Sequence, residues 1–239
     1  MKVLKLFIFL FFITSCSDKK SENETSEFDR VLGEENVKTL DLLVSDFESD
    51  FLKRQYPDLN TEDAYRQFLN ELSDQKTADW KGISQKSRDQ FESSDLRLEM
   101  YEFPDSVWIL KNSSFDKIES DSVAFLEDPN PYIKTRFKHT NPDGTTEYSF
   151  SRGGEITPGA DYDSIIYQES KTPRINYDGK YLKALESIKD KSNFHRMLFE
   201  MKKDGQFLFP YQTAQAMLDF DLDLNSELNR KIIVLEFAH

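Results

Sequence analysis

The spacing of apolar residues changes twice along this 239-residue chain, and these changes constrain its fold more than any other feature. In 37–55 and 61–73, apolar side chains recur every three or four residues, which predicts two amphipathic helices. The Tyr-Pro pair at 56–57 separates them, because proline disfavours helical backbone in the residue before it. We therefore expect a helical hairpin near the start of the folded chain, and a further helix at 84–92. In the hairpin, the N-cap candidate of the first helix is Asn36, and that of the second is Asn60 or Thr61.

The middle of the chain has shorter apolar runs and an alternating pattern, both of which are typical of strands. Residues 106–110 and 122–126 are apolar runs, and residues 132–138 alternate as Tyr-Ile-Lys-Thr-Arg-Phe-Lys. The Asn-Pro-Asp-Gly sequence at 141–144 suits a tight turn, because its glycine can adopt positive φ. We expect a central antiparallel sheet that contains a β-hairpin, with a further strand at 163–168.

Helical spacing returns in the last third of the chain. Apolar residues within 181–188 and 194–201 form two stripes, and Ser192 is a suitable N-cap for the second. Residues 211–218 also predict a helix, whereas the continuous apolar run at 232–237 predicts a buried final strand. Helices therefore precede and follow the strands, which predicts an α+β fold rather than alternating βαβ units.

The first sixteen residues combine a positive start, an apolar run and the only cysteine of the chain. Lys2 and Lys5 precede an apolar run at 6–13. This run is too short to span a bilayer, because spanning takes about 20 residues. The sequence Ile-Thr-Ser-Cys at 13–16 then leads into a polar stretch. This arrangement resembles the lipobox signal peptide of bacterial lipoproteins. The resemblance implies that Cys16 becomes the acylated N-terminus; the alternative is an ordinary signal peptide with an incidental cysteine.

The residues after the lipobox predict how the anchor is connected. The polar composition of 16–35 predicts a disordered tether between the lipidated cysteine and a single α+β domain at 36–239. Ser17 stands where some bacterial inner-membrane lipoproteins have aspartate, which implies sorting to the outer membrane. The run at 17–22 resembles the export signal of surface lipoproteins in Bacteroidota. We therefore expect a signal peptide at 1–15 and lipid attachment to the outer membrane, on its periplasmic or cell-surface side.

Composition excludes several classes of function. Acidic residues outnumber basic ones by 44 to 31, and the formal net charge is −13, whereas a general nucleic-acid binder needs a positive field. A single cysteine permits neither an internal disulfide nor a cysteine metal cluster. The sequence also lacks Walker, GxGxxG, GxSxG and HExxH motifs. We therefore predict no catalytic residue, no cofactor and no metal site.

Two patterns leave a chemical role open. His195 precedes Glu200 in a predicted helix, where it is either half of an acid–base pair or a packed helix residue. In 219–227 acidic and apolar residues alternate, as in an irregular calcium site or in a half-buried strand or loop with an acidic face. An EF-hand is excluded, because Leu224 and Arg230 occupy the positions of its glycine and its bidentate glutamate.

Three cations stand at alternate positions of the predicted hairpin strand and therefore share one face. They are Lys134, Arg136 and Lys138. In a chain this acidic, they form a candidate site for an anionic ligand or partner. The alternative is a solvated face whose cations pair across the hairpin with Glu147.

An Asp-Ser-aliphatic triplet occurs three times, and its hydroxyl residues are Ser106, Ser122 and Ser164. The triplet resembles the acceptor sequence for O-glycosylation of exported proteins in Bacteroidota, and the resemblance implies that these serines carry glycans. Alternatively, aspartate followed by serine marks the start of a strand.

The predicted helical hairpin at 37–73 resembles uncharacterised lipoproteins of flavobacteria, a resemblance that carries no activity. Because an anchor, a tether and a core are predicted without a catalytic motif, we expect a non-enzymatic lipoprotein that binds an envelope protein. One alternative is a lipoprotein that binds a small ligand or a glycan, with Tyr148 or Trp108 as an aromatic platform. The other alternative is a hydrolase with an unfamiliar active site.

Overall fold

The computed structural model describes residues 27–74, 84–110, 131–140, 143–157, 159–206 and 208–237. The signal segment with Cys16, the predicted strand at 122–126 and Ser122 lie outside the described residues. The chain forms two compact units, the first made of Met1–Met100 with Asn176–His239 and the second of Tyr101–Ile175. In sequence, the second unit, which contains strands, is inserted between the two segments of the first.

The elements confirm the predicted α+β class. In chain order they are α1 (27–32), α2 (Glu34–Asp46), a π-helical segment (Phe47–Leu52), α3 (Lys53–Gln55), α4 (Thr61–Ser73), α5 (Gln85–Glu92), α6 (Asp95–Met100), β1 (Tyr101–Glu102), β2 (Ser106–Leu110), β3 (Tyr132–Thr140), β4 (Thr146–Glu155), α7 (Tyr162–Lys171), β5 (Arg174–Ile175), α8 (Lys180–Ile188), α9 (Asn193–Lys203), α10 (Pro210–Asp219) and α11 (Glu227–Phe237).

The predicted helical hairpin is present. Its first arm runs from α2 through the π-helical segment into α3 and ends before Tyr56. Its second arm, α4, is capped by Asn60, whose side chain accepts a hydrogen bond from the backbone N–H of Asp63. The predicted apolar stripe of α4 is buried along its whole length: Ala64, Tyr65, Phe68, Leu69 and Leu72. Local sequence signals are sufficient here, since cap, stripe and proline stop all agree.

The start of the hairpin differs from the prediction. Asn36 is not the N-cap of α2, because it lies inside the helix and is buried, with its Nδ2 donating to the Leu32 carbonyl oxygen at 2.8 Å. Gly33 is the N-cap instead, and its φ of 92° breaks the backbone between α1 and α2. Such a φ favours glycine, since a side chain at that angle is strained.

Residues 27–35 belong to the fold rather than to the expected tether. Phe28 and Leu32 of α1 are fully buried. They stand four residues apart on one helix face, and Asn36 continues that face after the break at Gly33. A segment with only two large apolar residues looked like a tether by composition, but both of these residues are core.

An aromatic cluster joins the hairpin to the C-terminal helix. Phe47 and Phe51 stack with ring centroids 5.1 Å apart, and Phe68 of α4 meets both edge-on at 5.2 and 5.7 Å. Phe237 of α11 lies 5.9 Å from Phe68. Since each large ring buries a large apolar area, this cluster is a major part of the core of the first unit.

The predicted final strand is wrong, because residues 227–237 form the helix α11. Its consecutive residues Ile232, Ile233, Val234 and Leu235 are all buried. A helix that is covered on every side has no polar face, so its sequence shows a continuous apolar run rather than a stripe. Periodicity alone does not distinguish such a helix from a buried strand.

The second unit contains an antiparallel sheet with strand order β2-β3-β4 and a separate short pair, β1 with β5. The predicted hairpin is formed by β3 and β4, whose pairing begins at Thr140 opposite Thr146, and Gly144 in its turn has φ 83°. The predicted strand at 163–168 is wrong, since this segment lies in the helix α7. Asp161 is the N-cap of α7, and its carboxylate accepts a hydrogen bond from the Ser164 backbone N–H, which favours a helix here.

Candidate functional site

One face of the three-stranded sheet carries the three cations that the sequence singled out. Pairing of β3 with β4 places Lys134 opposite Arg152, Arg136 opposite Phe150 and Lys138 opposite Tyr148. Pairing with β2 places Trp108 opposite Lys134. Opposite residues of antiparallel strands point to the same side of the sheet. We call this side the cationic–aromatic face and define it by Lys134, Arg136, Lys138, Arg152, Trp108, Tyr148 and Phe150.

The aromatic rings of this face are open to solvent. Tyr148 is 49% exposed and Phe150 is 56% exposed, although both side chains are large. Trp108 is partly buried, and its ring meets the Phe150 ring edge-on, with centroids 6.3 Å apart and planes at 84°. Trp108 therefore supports Phe150 from β2, while half of the Phe150 surface remains available for contact.

Each exposed ring is paired with a cation of the neighbouring strand. The Lys134 ammonium nitrogen lies 5.4 Å from the centroid of the Phe150 ring, and the Arg136 guanidinium carbon lies 4.8 Å from that of Tyr148. These distances are within the range of cation–π attraction, which is about 6 Å. The contacts hold the cations beside the rings and make one continuous surface of both kinds of group.

The cations of the face differ in how far their charge is compensated. Arg136 forms a two-pronged ion pair with Asp105, through Nη2–Oδ2 at 2.7 Å and Nε–Oδ1 at 3.1 Å. The hydrogen bond from this guanidinium holds the pKa of Asp105 below its usual range. Lys134 and Lys138, by contrast, form no ion pair with any residue that the structure describes. These two ammonium groups are the part of the face best able to attract an anion.

The expected alternative for these cations involved Glu147. In the structure Glu147 is opposite His139, so it lies on the other side of the sheet from Lys134, Arg136 and Lys138. That other side is packed. Thr135 and Phe137 are buried there, and the Arg174 guanidinium lies over the Phe137 ring at 3.4 Å. Arg136 pairs instead with Asp105, which precedes β2.

Sequence reasoning missed Phe150 and Arg152 as members of the face. Tyr148, Phe150 and Arg152 alternate along β4, so the period-two pattern that identified the cations of β3 was present on its partner as well. Which of these residues faces which cation depends on the hairpin register, and this register follows from the turn at 143–144.

His195 is held in a buried polar chain and not in an acid–base pair. The Ser192 hydroxyl lies 2.9 Å from His195 Nδ1, and His195 Nε2 lies 3.0 Å from Asn229 Oδ1. Glu200 lies instead beside Lys203, at 3.8 Å. Burial lowers the pKa of His195, although the hydrogen bond with Asn229 opposes that effect.

The contacts from Ser192 through His195 to Asn229 resemble those of a nucleophile with its base. Their burial and helix-capping contacts, however, give these residues a structural role. His195 is 3% exposed. Ser192 is the N-cap of α9, and its hydroxyl oxygen accepts a hydrogen bond from the His195 backbone N–H at 3.2 Å. Asn229 Nδ2 in turn donates to the Asp223 carbonyl oxygen at 2.8 Å. Each polar group is thus satisfied by its neighbour, as buried polar groups require.

The acidic stretch at 219–227 forms the connection from α10 to α11. Leu222 and Leu224 are buried, whereas Asp219, Asp221 and Asp223 are exposed. The Asp223 carboxylate accepts from the Asn225 backbone N–H at 3.0 Å. Among the described residues, no group of three or more His, Cys, Asp or Glu side chains is placed to hold a metal ion. The stretch is a loop in which Leu222 and Leu224 face inward, while Phe220 and the aspartates are exposed.

The glycosylation candidates have different surroundings. Ser106 lies on β2, and its hydroxyl accepts a hydrogen bond from Arg136 Nη2 at 2.9 Å. Ser164 is exposed in the first turn of α7. Of these two serines, Ser164 is thus the more accessible to a modifying enzyme.

Comparison of the chain with protein-family models, with curated proteins and with solved structures finds no match. Among the residues that the structure describes, no helix has both the length and the apolar character needed to cross a membrane.

Proposed function

We propose that this protein is a lipid-anchored binding module of the bacterial envelope, attached through Cys16, and that its cationic–aromatic face binds an anionic ligand. The observation that carries the proposal is the composition of this face. Four cations and two half-exposed rings lie together in a chain whose formal net charge is −13. Because the chain as a whole is acidic, a local surface of opposite charge fits a specific contact better than a general solubilising role.

The physics of the face favours binding over chemistry. Lys134 and Lys138 attract an anion over several ångströms, while Tyr148 and Phe150 supply apolar contact area at short range. The acidic remainder of the chain repels anions that approach anywhere else. Binding at this face should therefore weaken as salt concentration rises, because exposed charges are screened.

Charge reversal at the two lysines that form no ion pair with a described residue tests the proposal. The full-length protein, purified in detergent, is titrated against immobilised dextran sulfate, polyglutamate and polygalacturonate, with neutral dextran as reference. We expect at least one anionic polymer to bind in preference to dextran, and Lys134→Glu with Lys138→Glu to weaken that binding by about tenfold or more.

The matched control is Lys171→Glu. Lys171 is also an exposed lysine of the second unit and lies over a tyrosine ring, that of Tyr167 at 5.8 Å, but it belongs to α7 and not to the face. The control should bind like the unaltered protein. Equal losses in control and test variants, or no binding of any anionic polymer, would show that the proposed function is wrong.

A further inference from the structure

We infer that the ligand of the cationic–aromatic face is an extended acidic glycan, a polysaccharide in which sugars that carry carboxylate groups alternate with neutral sugars. The inference rests on the proposed function and narrows it to one class of anion. It depends on three features of the face: the arrangement of its rings, the spacing of its free ammonium groups, and the compensated charge between them.

The two exposed rings form a platform suited to sugars. Tyr148 and Phe150 stand two residues apart on β4, on one side of the sheet, which places their Cα atoms about 7 Å apart. Their exposed fractions of 49% and 56% leave part of each ring open to solvent beside the cation that lies over it. The C–H faces of pyranose rings are apolar while their edges carry hydroxyls, so consecutive sugars can pack on neighbouring aromatic rings and keep their hydroxyls in water.

The two lysines that form no ion pair with a described residue lie beside this platform and are separated from each other. Lys134 and Lys138 are four residues apart on β3, which corresponds to about 13 Å between their Cα atoms. Lys134 is opposite Arg152, so one end of the face carries two cations and the other end carries one. An anionic polymer lying along the strands meets positive charge at both ends of the ring platform.

The centre of the face is electrically compensated. Arg136 lies between the two lysines, and its ion pair with Asp105 places a carboxylate there. A polymer with a phosphate on every unit, such as a single-stranded nucleic acid, would bring one of its charges next to Asp105, which repels it. A glycan in which charged and neutral sugars alternate places a neutral sugar at that point. The charge pattern therefore favours an acidic glycan over a nucleic acid.

Separate removal of the rings and of the charges tests the inference. The full-length protein in detergent is titrated with a uronate oligosaccharide whose charged and neutral sugars alternate. The comparison ligands are oligogalacturonate, which is charged on every sugar, polyglutamate of matched charge, and a single-stranded oligonucleotide. Tyr148→Ala with Phe150→Ala should weaken oligosaccharide binding by about tenfold, because the stacking surface is lost. Lys134→Gln with Lys138→Gln should weaken it by a similar factor, because the charge is lost.

The control for ring removal is Tyr167→Ala. Tyr167 is 61% exposed and carries a cation over its ring, as Tyr148 and Phe150 do, but it lies on α7. It should leave oligosaccharide affinity unchanged. A second readout that needs no change to the face is the fluorescence of Trp108 in a Trp80→Phe background, since the chain has two tryptophans and Trp108 contacts Phe150. Saturating oligosaccharide should change that fluorescence.

The outcomes separate the two proposals. If polyglutamate or the oligonucleotide binds more tightly than the oligosaccharides, the glycan inference is wrong while the proposed anion-binding function stands. The same conclusion follows if ring removal leaves oligosaccharide affinity unchanged and the fluorescence of Trp108 does not respond. If no polymer depends on Lys134 and Lys138, both proposals are wrong. Tight oligosaccharide binding that requires both rings and lysines supports both.

Discussion

The Lys231 ammonium nitrogen lies 2.8 Å from Asp29 Oδ2, so an ion pair joins the first described helix to the last across 202 positions of sequence. Lys231 is 2% exposed, and Glu227 and Asp41 also approach its ammonium group, at 2.9 and 3.1 Å. Burial acts to lower the pKa of Lys231, but hydrogen bonds to these carboxylates outweigh it and raise the pKa. This contact fixes α1, which composition had assigned to a tether, to the core helix α11.

Lys231→Met should destabilise the protein by about 3 kcal/mol, because it leaves the half-buried Asp29 carboxylate without its cation. Asp41→Asn and Glu227→Gln should each cost less than about 1 kcal/mol, since these two carboxylates are more than half exposed. Urea unfolding at neutral pH measures all three. A loss in Asp41→Asn or Glu227→Gln as large as that in Lys231→Met would contradict the small contribution expected of these two carboxylates.

The buried His195 should make stability depend on pH. Burial lowers its pKa in the folded state, so the folded protein favours the neutral ring, whereas the unfolded chain binds a proton near pH 6.5. Its contribution to the free energy of unfolding is therefore complete above that pH and is lost as pH falls through 6.5 towards the folded-state pKa. Unfolding in urea at pH 7.5, 6.5 and 5.5 measures the slope.

His195→Gln should reduce this slope, and His139→Gln is its control, because His139 is a partly exposed histidine of the second unit. An unchanged slope in His195→Gln would show that other groups govern the pH dependence. A general loss of stability at every pH, without a change in slope, would assign His195 a packing role only.

Gly179 should not tolerate a side chain. A Cβ added there would overlap the carbonyl oxygen of Glu99, which is backbone and has little freedom to move. Gly179→Ala should therefore destabilise the protein by about 1–3 kcal/mol. Gly154→Ala is the matched control, since an added Cβ there meets nothing within 4 Å, and it should be close to neutral. Thermal unfolding compares the two, and equal melting temperatures would rule out the overlap.

Asp105→Asn should strengthen the binding of anionic ligands by a few-fold, because it removes the carboxylate that compensates Arg136. The pKa of Asp105 is lowered by this pair, so the carboxylate is ionised at neutral pH and the substitution changes the charge of the face. Titration with the same anionic polymers at low and high salt measures the gain. A weaker affinity would mean that Asp105 serves the ligand by positioning Arg136.

Cys16→Ser should abolish attachment to the membrane. The thiol is the group that acylation modifies in the lipoproteins that this segment resembles, and serine offers no equivalent nucleophile to that machinery. Metabolic labelling with a fatty-acid analogue and fractionation of cells measure the effect, with the unaltered protein as reference. Labelled Cys16→Ser protein in the membrane fraction would overturn the anchor proposal.

Several elements were predictable because their signals are local. The bounds of α4 follow from Asn60, the apolar stripe and the preceding proline, and those of the β3–β4 hairpin follow from alternation and a glycine turn. The cations of β3 also share a face by strand geometry alone. In each case residues within a few positions of one another carry the information.

The cysteine, the charge, the helical hairpin and the β3–β4 hairpin were therefore readable from sequence by itself. Tertiary structure alone decided that α11 is a helix covered on every side, that α1 is packed rather than free, and that Arg136 is compensated by Asp105. It also decided which rings stand beside the lysines, through the register of β3 with β4. The physical reason is the same in each case: burial and pairing between residues distant in sequence override patterns that are local, and a pattern does not state which distant residues will cover it.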